Sequence, residues 1–389
     1  MTKLAIIISH PIQYYAPWFC YLANNTALNI KVFYLWNFGV TKQVDVGFQQ
    51  SLEWDIPLLT GYDYEFVPNV SSAPGTHHFW GLQNPSLVSQ VRADNPDAVL
   101  LMSYNYASLY RFLWSWNTRQ IPLLFRGDSH RLLATTGIKA WLRQQWITQI
   151  YRRFAACLYV GKANYEYFRY HGVAQQRLFF SPHAVENDRF LSQTESATHQ
   201  AIAWKRELGI PEHHGVVLFA GKFESTKRPL DLLHAFLDSH LDDVSLLFVG
   251  SGSLEQELKA LATGQSNIYF APFQNQSLMP RTYATADLVV LPSYGETWGL
   301  VINEAMCMAR PVIVSTHVGC AHDLIHPNQN GLKFPAGDVS SLAHSLKEAF
   351  SDRKRLQNWG EKSRSIVSQY SYTQATQGLM QALNYIKEV

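Results

Sequence analysis

The sequence has no stretch approaching the roughly 18 consecutive apolar residues that a membrane-spanning helix needs, so any contact with a bilayer is expected to be peripheral. Cysteine is scarce. Its four copies, Cys20, Cys157, Cys307 and Cys320, are scattered, without a C-x-x-C pair or the dense framework that staples a small secreted domain. That usage fits a reducing cytoplasm. The chain opens Met1-Thr2-Lys3 and runs straight into Leu4-Ala5-Ile6-Ile7-Ile8, with no basic leader and no cleavage site, so it reads as a first strand rather than an export signal. Charge is sparse as well: 16% of residues are charged against 47% hydrophobic, with a net charge of +2, which excludes a disordered or nucleic-acid-coating chain and describes a globular enzyme. No G-x-G-x-x-G follows the first strand and no acidic residue stands at the ribose distance, which argues against a hydride-transferring dehydrogenase. His77-His78 and His213-His214 are too close in sequence to face one ion, so neither a metal nor a cofactor is expected.

What the sequence does contain is a recurrence of short, β-branched apolar runs between longer helical patterns, at 4–8, 98–102, 121–125, 157–160, 216–220, 245–249, 288–291 and 312–315. Uninterrupted runs of this kind suit strands buried on both faces, and their alternation with helices implies parallel, doubly wound sheets. The length of 389 residues is enough for two such domains. The polar stretch 191–214, with a new strand directly after it, predicts a boundary near 192/193: residues 1–192 as one Rossmann-like domain and 193–369 as another. A last helical pattern, with Ala375, Leu379, Leu383 and Ile386 at helical spacing, runs to Val389; spacing alone leaves its placement open, with 370–389 packing back on the first domain as one option.

The most informative segment is Val289-Val290-Leu291-Pro292-Ser293-Tyr294-Gly295-Glu296-Thr297-Trp298-Gly299-Leu300-Val301-Ile302-Asn303-Glu304. A strand ends at Leu291 and a helix opens near Gly299. The N–H groups of Thr297, Trp298, Gly299 and Leu300, beyond the carboxyl end of a parallel strand, suit an anion such as a diphosphate. Glu296 before the helix and Glu304 inside it are acceptor-only groups, each able to grip a pair of hydroxyls on either side of that phosphate. That is the shape of a nucleotide sugar. The earlier turn Gly221-Lys222-Phe223-Glu224-Ser225-Thr226-Lys227 adds backbone access at Gly221 and two cations to balance the charge. Taken singly, the glutamates also read as a helix-start carboxylate and an ordinary helix residue, and the lysines as solvated surface groups.

The ordered set resembles the retaining, family-4 type glycosyltransferases of GT-B fold, two Rossmann-like parallel-sheet domains facing across a cleft. The spacing Glu296-x7-Glu304 with Gly299 between, Ala309-Arg310-Pro311 after it, the Gly221-Lys222 to Lys227 loop, Leu247-Phe248-Val249-Gly250-Ser251-Gly252, Tyr283-Ala284-Thr285-Ala286-Asp287 and Asn330-Gly331 carry the likeness. The resemblance implies a sugar passed from a nucleoside diphosphate sugar to a hydroxyl of a glycan or lipid-linked glycan, with retention and without a metal. Glu304 would hold the ribose, Glu296 the transferred sugar, Lys222 and Lys227 the diphosphate, and residues around Phe273 the base. The family usually has Arg at the place of Lys222, Phe at that of Trp298 and Asn at that of His183. An epimerase of the same architecture, or a non-catalytic subunit that only binds the sugar nucleotide, are the alternatives.

In the first half, Ser9-His10-Pro11-Ile12 replaces a glycine-rich loop and, with Asp45-Val46-Gly47-Phe48 and Trp54-Asp55-Ile56-Pro57, resembles a branch devoted to bacterial surface polysaccharides. His10 is either a donor-site residue or a histidine capping the first helix. Asp128 and His130, on the turn after the strand 121–125, are the candidates for a place beside the reacting carbon. Between Ser129 and Tyr165 lie Arg131, Lys139, Arg143, Arg152, Arg153 and Lys162 with interleaved Trp141, Leu142 and Trp146. The segment 131–153 is either a cationic surface for anionic lipid at the inner face of the plasma membrane or a core helix with solvated basic residues.

Overall fold

The computed structural model describes residues 1–133 and 136–388. They form two compact α/β units: Met1–Gln43, Leu52–Pro182 and Tyr372–Val389 make the first, and Val44–Ser51 with His183–Ser371 the second. Along the chain the strands run β1 (Thr2–Ile8), β2 (Leu28–Tyr34), the short β3 (Gln43–Asp45) and β4 (Gln50–Leu52), then β5 (Asp63–Phe66), β6 (Ala98–Leu101), β7 (Leu123–Arg126), β8 (Ala156–Tyr159) and β9 (Leu178–Phe180). Apart from the β3-β4 ribbon, these make one seven-stranded sheet in the order β5-β2-β1-β6-β7-β8-β9, parallel throughout.

The pleat sends alternate side chains of β1 to opposite faces, and each face has its own core. Ala5 and Ile7 join Phe33, Leu101, Phe112, Phe125 and Tyr151 on one side. Leu4, Ile6 and Ile8 meet Trp18, Phe19, Leu124 and Leu158 on the other, together with Ala375, Leu379 and Leu383 from the last helix, Tyr372–Glu388. That helix is fastened by polar contacts too: the Trp18 indole donates to the Thr376 hydroxyl at 3.1 Å and the Ser181 hydroxyl to the Ala375 carbonyl at 2.9 Å. The last residue of the expected terminal helix, Val389, lies outside the described residues.

The second unit holds β10 (Gly215–Lys222), β11 (Val244–Ser251), β12 (Ile268–Ala271), β13 (Leu288–Leu291), β14 (Val312–Ser315) and β15 (Gly331–Phe334) in the order β12-β11-β10-β13-β14-β15, again all parallel. Val217 and Phe219 of β10 bury against Leu232, Phe236, Leu342 and Leu346 from the flanking helices Pro229–Ser239 and Val339–Phe350. Both sheets are thus of the open, doubly wound type.

Two features of the partition differ from the sequence-based boundary at 192/193. The chain passes into the second unit between Pro182 and His183. The residues after that crossing pack as structure rather than linker: Phe190 is fully buried near Tyr283, and the Arg189 guanidinium donates to both the main-chain and side-chain oxygens of Gln276 at 2.8 Å. The other difference is Val44–Ser51, which belongs to the second unit although 1–192 was expected to stay together.

Candidate functional site

β10 and β13 are hydrogen-bonded neighbours, Val217 opposite Leu288 and Leu218 opposite Val289. Because they are parallel, the turns after both strands leave from the same end of the sheet, the end at which doubly wound folds bind ligands. The two turns are zipped directly: the Tyr294 N–H donates to the Thr226 carbonyl at 2.9 Å. This brings Lys227, at the end of a 3-10 turn Ser225–Lys227, against Glu296, and their ammonium and carboxylate form a close, half-buried ion pair. Glu296 is fixed from its far side as well, since its carbonyl accepts from the Gly319 N–H at 2.9 Å.

Gly319 lies so near this turn that a Cβ there would sit 1.9 Å from the Thr297 carbonyl oxygen. Gly299, with φ at +97°, opens the helix Leu300–Cys307. The first N–H groups of a helix have no intrahelical acceptor, so this start presents donors beside the ion pair. Gly319→Ala therefore pushes the 296–299 turn off its seat; the expected cost is about 2–4 kcal/mol in urea unfolding, the size of other steric insults in tightly packed positions. A loss under about 0.5 kcal/mol would mean the turn has slack and is not held in place by β14 and its following loop.

Glu304 lies within the same helix and is only 2% exposed. Its carboxylate accepts from the Tyr283 hydroxyl at 2.6 Å and from the Gln276 amide at 3.4 Å, and Gln276 is in turn gripped by Arg189. A buried carboxylate needs such donors, because unsatisfied it would carry the full desolvation penalty. No local spacing in the sequence links Tyr283, Gln276 or Arg189 to Glu304; the fold brings them to it. The Trp298 ring is buried, its indole N–H donates to the side-chain amide oxygen of Asn303 at 2.9 Å, and the Asn303 amide donates to the His183 carbonyl at 3.3 Å. Its side chain is thus engaged in packing.

Lys222, at the end of β10, is paired with an acid that the sequence did not suggest. Its ammonium lies 2.9 Å from Asp45 Oδ1, in the excursion Val44–Ser51, and 5.0 Å from the centre of the Phe48 ring. Burial alone would raise the Asp45 carboxyl, but the Lys222 ammonium and the Phe48 and Gly47 N–H groups outweigh it and hold the acid below the usual carboxylate range. Phe48 meets Phe273 edge to face, with ring centroids 4.6 Å apart. Lys222 and Phe273 are thus bridged by one short segment.

In the first unit, His10 follows β1, and Asp128 and His130 follow β7, two strands of one parallel sheet separated only by β6. His10 Nδ1 lies 3.0 Å from the Ser9 hydroxyl, with its ring edge-on to Trp36 and Phe38. It is no helix cap: the cap position of the first helix, Ala16–Asn25, is Tyr15. His130 Nδ1 accepts from the Leu132 N–H at 3.2 Å, and the Asn164 amide holds the same loop through the Ser129 carbonyl at 2.8 Å. Beside them Arg126, buried, donates to the Ser181 and Pro182 carbonyls at 3.2 and 2.8 Å. Burial pushes the neighbouring Tyr15 phenol up to about 12, so it stays a neutral donor.

The free thiols of Cys157 and Cys307 are driven to about 12 by burial, which leaves them protonated and unreactive at neutral pH. Among the described residues no group of three or more His, Cys, Asp or Glu converges as a metal site would. No helix among them is long and apolar enough to cross a membrane. The segment 131–153 contains Ala134 and Thr135, which lie outside the described residues. Its helix, Ile138–Tyr151, buries Ile147, Ile150 and Tyr151 while exposing Ile138 at 75% and Trp141 and Leu142 at 56% each.

Two doubly wound parallel units in one chain are the architecture of the GT-B glycosyltransferases, and solved structures share it. HepE of Anabaena, determined in complex with UDP and glucose, matches 99% of this chain and 100% of its own with a TM-score of 0.73 at 16% identity. WaaG, a glycosyltransferase involved in lipopolysaccharide biosynthesis, matches 96% of this chain and 98% of its own with a TM-score of 0.67 at 17% identity. At those identities the likeness speaks for the fold. Residues 200–366 match the family Glycosyl transferases group 1. Among curated relatives, the sulfoquinovosyl transferase of Arabidopsis thaliana is 30% identical over 164 residues, 41% of this chain and 31% of the relative. The D-inositol 3-phosphate glycosyltransferase of Corynebacterium jeikeium is 29% identical over 211 residues, 51% of this chain and 49% of the relative. The matched part of the chain spans about a third to a half of the length of these relatives.

Proposed function

We propose that the protein moves a hexosyl-type sugar from a nucleoside diphosphate sugar to a hydroxyl of a glycan or lipid-linked glycan, with retained configuration, in the assembly of cell-surface polysaccharide. The observation that carries this is the Lys227–Glu296 pair, in touching turns of adjacent parallel strands, with the buried Glu304 farther along the helix that follows. Lys227 and Lys222 supply the charge that a diphosphate leaving group needs, so transfer requires no metal. The acceptor oxygen bonds to the anomeric carbon on the face from which the phosphate oxygen departs, and that departing oxygen takes the acceptor's proton. Glu296 orients the sugar, Glu304 the ribose, and the N–H groups of Thr297, Trp298, Gly299 and Leu300 the phosphates, with Gly221 leaving room for close approach. Asp128, His130 and His10 are the first-unit candidates to stand near the reacting carbon.

HepE was solved with UDP, which makes uridine donors the first to test. For the acceptor, the first unit offers a cavity of about 770 Å³ beyond the carboxyl ends of β2 and β5, lined by Trp36, Asn37, Thr41, Gln43 and Asn69 among apolar residues and by no charged side chain. An aromatic face with neutral amides and hydroxyls suits sugar hydroxyls better than an anionic group. The deciding experiment incubates the protein with UDP-, GDP-, ADP- and dTDP-sugars and a panel of glycan acceptors, and reads product and anomeric configuration by NMR. Transfer with retention supports the proposal; donor conversion without any acceptor would instead mark an epimerase.

A peripheral place at an anionic membrane fits the exposed Ile138, Trp141 and Leu142 beside Lys139 and Arg143. Replacing Trp141 and Leu142 together with Ala is expected to weaken binding to phosphatidylglycerol vesicles roughly tenfold in co-sedimentation, with transfer to a soluble acceptor unchanged. Unaltered partitioning would remove this helix from the membrane surface.

A further inference from the structure

Two contacts of Val44–Ser51 fall on residues assigned to the donor, Lys222 and Phe273, and a third on Ser251. Asp45 pairs with Lys222, Phe48 packs on Phe273, and the Ser251 hydroxyl, at the end of β11, donates to the Phe48 carbonyl at 2.8 Å. The chain passes so closely that a Cβ on Gly47 would lie 2.5 Å from Lys222 Cδ. The order of groups along the segment is that of the ligand itself: an anion on the lysine, then a ring on the aromatic wall. Yet the segment is lightly anchored. Val44 and Val46 are 65% and 64% exposed, and Gln49 adopts a left-handed φ of +53° that a side chain disfavours.

We propose that Val44–Ser51 is an internal stand-in for the donor, its Asp45 carboxylate in the place of a phosphate and its Phe48 ring in that of the base, so that a sugar nucleotide binds as the segment lifts away. The inference rests on the reading of Lys222 and Phe273 as donor-binding residues. An ammonium can meet two anions, but a phosphate on Lys222 would face the like charge of the Asp45 carboxylate, and the two rings 4.6 Å apart leave no gap for a base between them. The apparent affinity of such a site is the intrinsic one reduced by the fraction of time the segment is away. The strap therefore sets the donor concentration at which the enzyme begins to work.

Asp45→Asn keeps an oxygen for the Gly47 and Phe48 N–H groups and removes only the charge; Phe48→Ala removes the ring. Calorimetric titration of the full chain with UDP, GDP, ADP and dTDP should show the bound nucleotide gripped roughly three- to tenfold more tightly by either variant, as expected when a competing closed state is depleted. In the unaltered protein, hydrogen exchange at Gly47 and Phe48 should speed up on saturation with the same nucleotide while 222–228 slows. Weaker or unchanged binding in both variants, or stronger protection of 44–51, would overturn the stand-in and make the segment a wall that closes over the donor. Failure of all four nucleotides to bind the protein and both variants would instead remove the donor-site reading beneath it.

Discussion

Lys227→Ala is expected to lower kcat for transfer by about 10²–10³, the loss that follows removal of one preorganised group from a developing negative charge. The fold should stand. Lys227 lies in a turn rather than a core, and the pair it forms with Glu296 is partly open to water, with side-chain exposures of 24% and 17%, so the cost to unfolding is about 1 kcal/mol. The variant leaves Glu296 facing the phosphates without its counter-ion, and two like charges at one site raise the cost of binding the donor as well. Adding Glu296→Gln to Lys227→Ala should consequently cost far less than the two single effects combined, because the residues act as a unit. Steady-state kinetics on the four members of the cycle reads this directly. If Lys227→Ala keeps kcat within about threefold of the unaltered enzyme with its true donor, the leaving group is not stabilised there.

The pair was legible in the sequence because each member lies a few residues beyond a buried apolar run. The ends of such runs, 216–220 and 288–291, are marked by glycine and proline, and parallel pairing of β10 with β13 did the rest. The strands that went unread are of two kinds. β2 carries Asn29 and Lys31 within it, which breaks the apolar run. β5, β9, β12 and β15 are the edges of their sheets and, like β3 and β4 of the ribbon, span only three or four residues, too few to establish a period. Asp45 meets Lys222 across 177 positions, and no composition or spacing argument reaches that far. The boundary at 192/193 was drawn on polarity, but 194–207 is a helix that buries Ala197, Ala201 and Trp204 on one face and shows water the other, so its polar residues mark a surface and not a linker. His10 was open between cap and site because a histidine before a helix suits either role; the helix begins later, at Ala16, and that removes the first.

Glu304 separates support from recognition, two roles that a buried carboxylate combines. The Tyr283 hydroxyl and the Gln276 amide both donate to the Glu304 carboxylate, and each oxygen of a carboxylate can accept more than one hydrogen bond, so ribose hydroxyls can share the group with its supports. Glu304→Ala takes both roles away. The Tyr283 hydroxyl, on a fully buried residue, loses its acceptor, and together with the space left behind this is expected to lower unfolding free energy by about 2–4 kcal/mol. Donor KM should rise about a hundredfold. Glu304→Gln keeps the shape and an oxygen for Tyr283, so stability should fall by no more than about 1.5 kcal/mol, while loss of charge-assisted bonds to the ribose still raises donor KM roughly tenfold. Tyr283→Phe makes the opposite cut: it removes the support and keeps the charge, and donor KM should stay within about threefold. Urea unfolding and donor KM, measured on all three variants, must then move independently. A Glu304→Gln enzyme that binds donor as tightly as the unaltered one would show that the carboxylate serves only Tyr283, and the ribose would have to be held elsewhere.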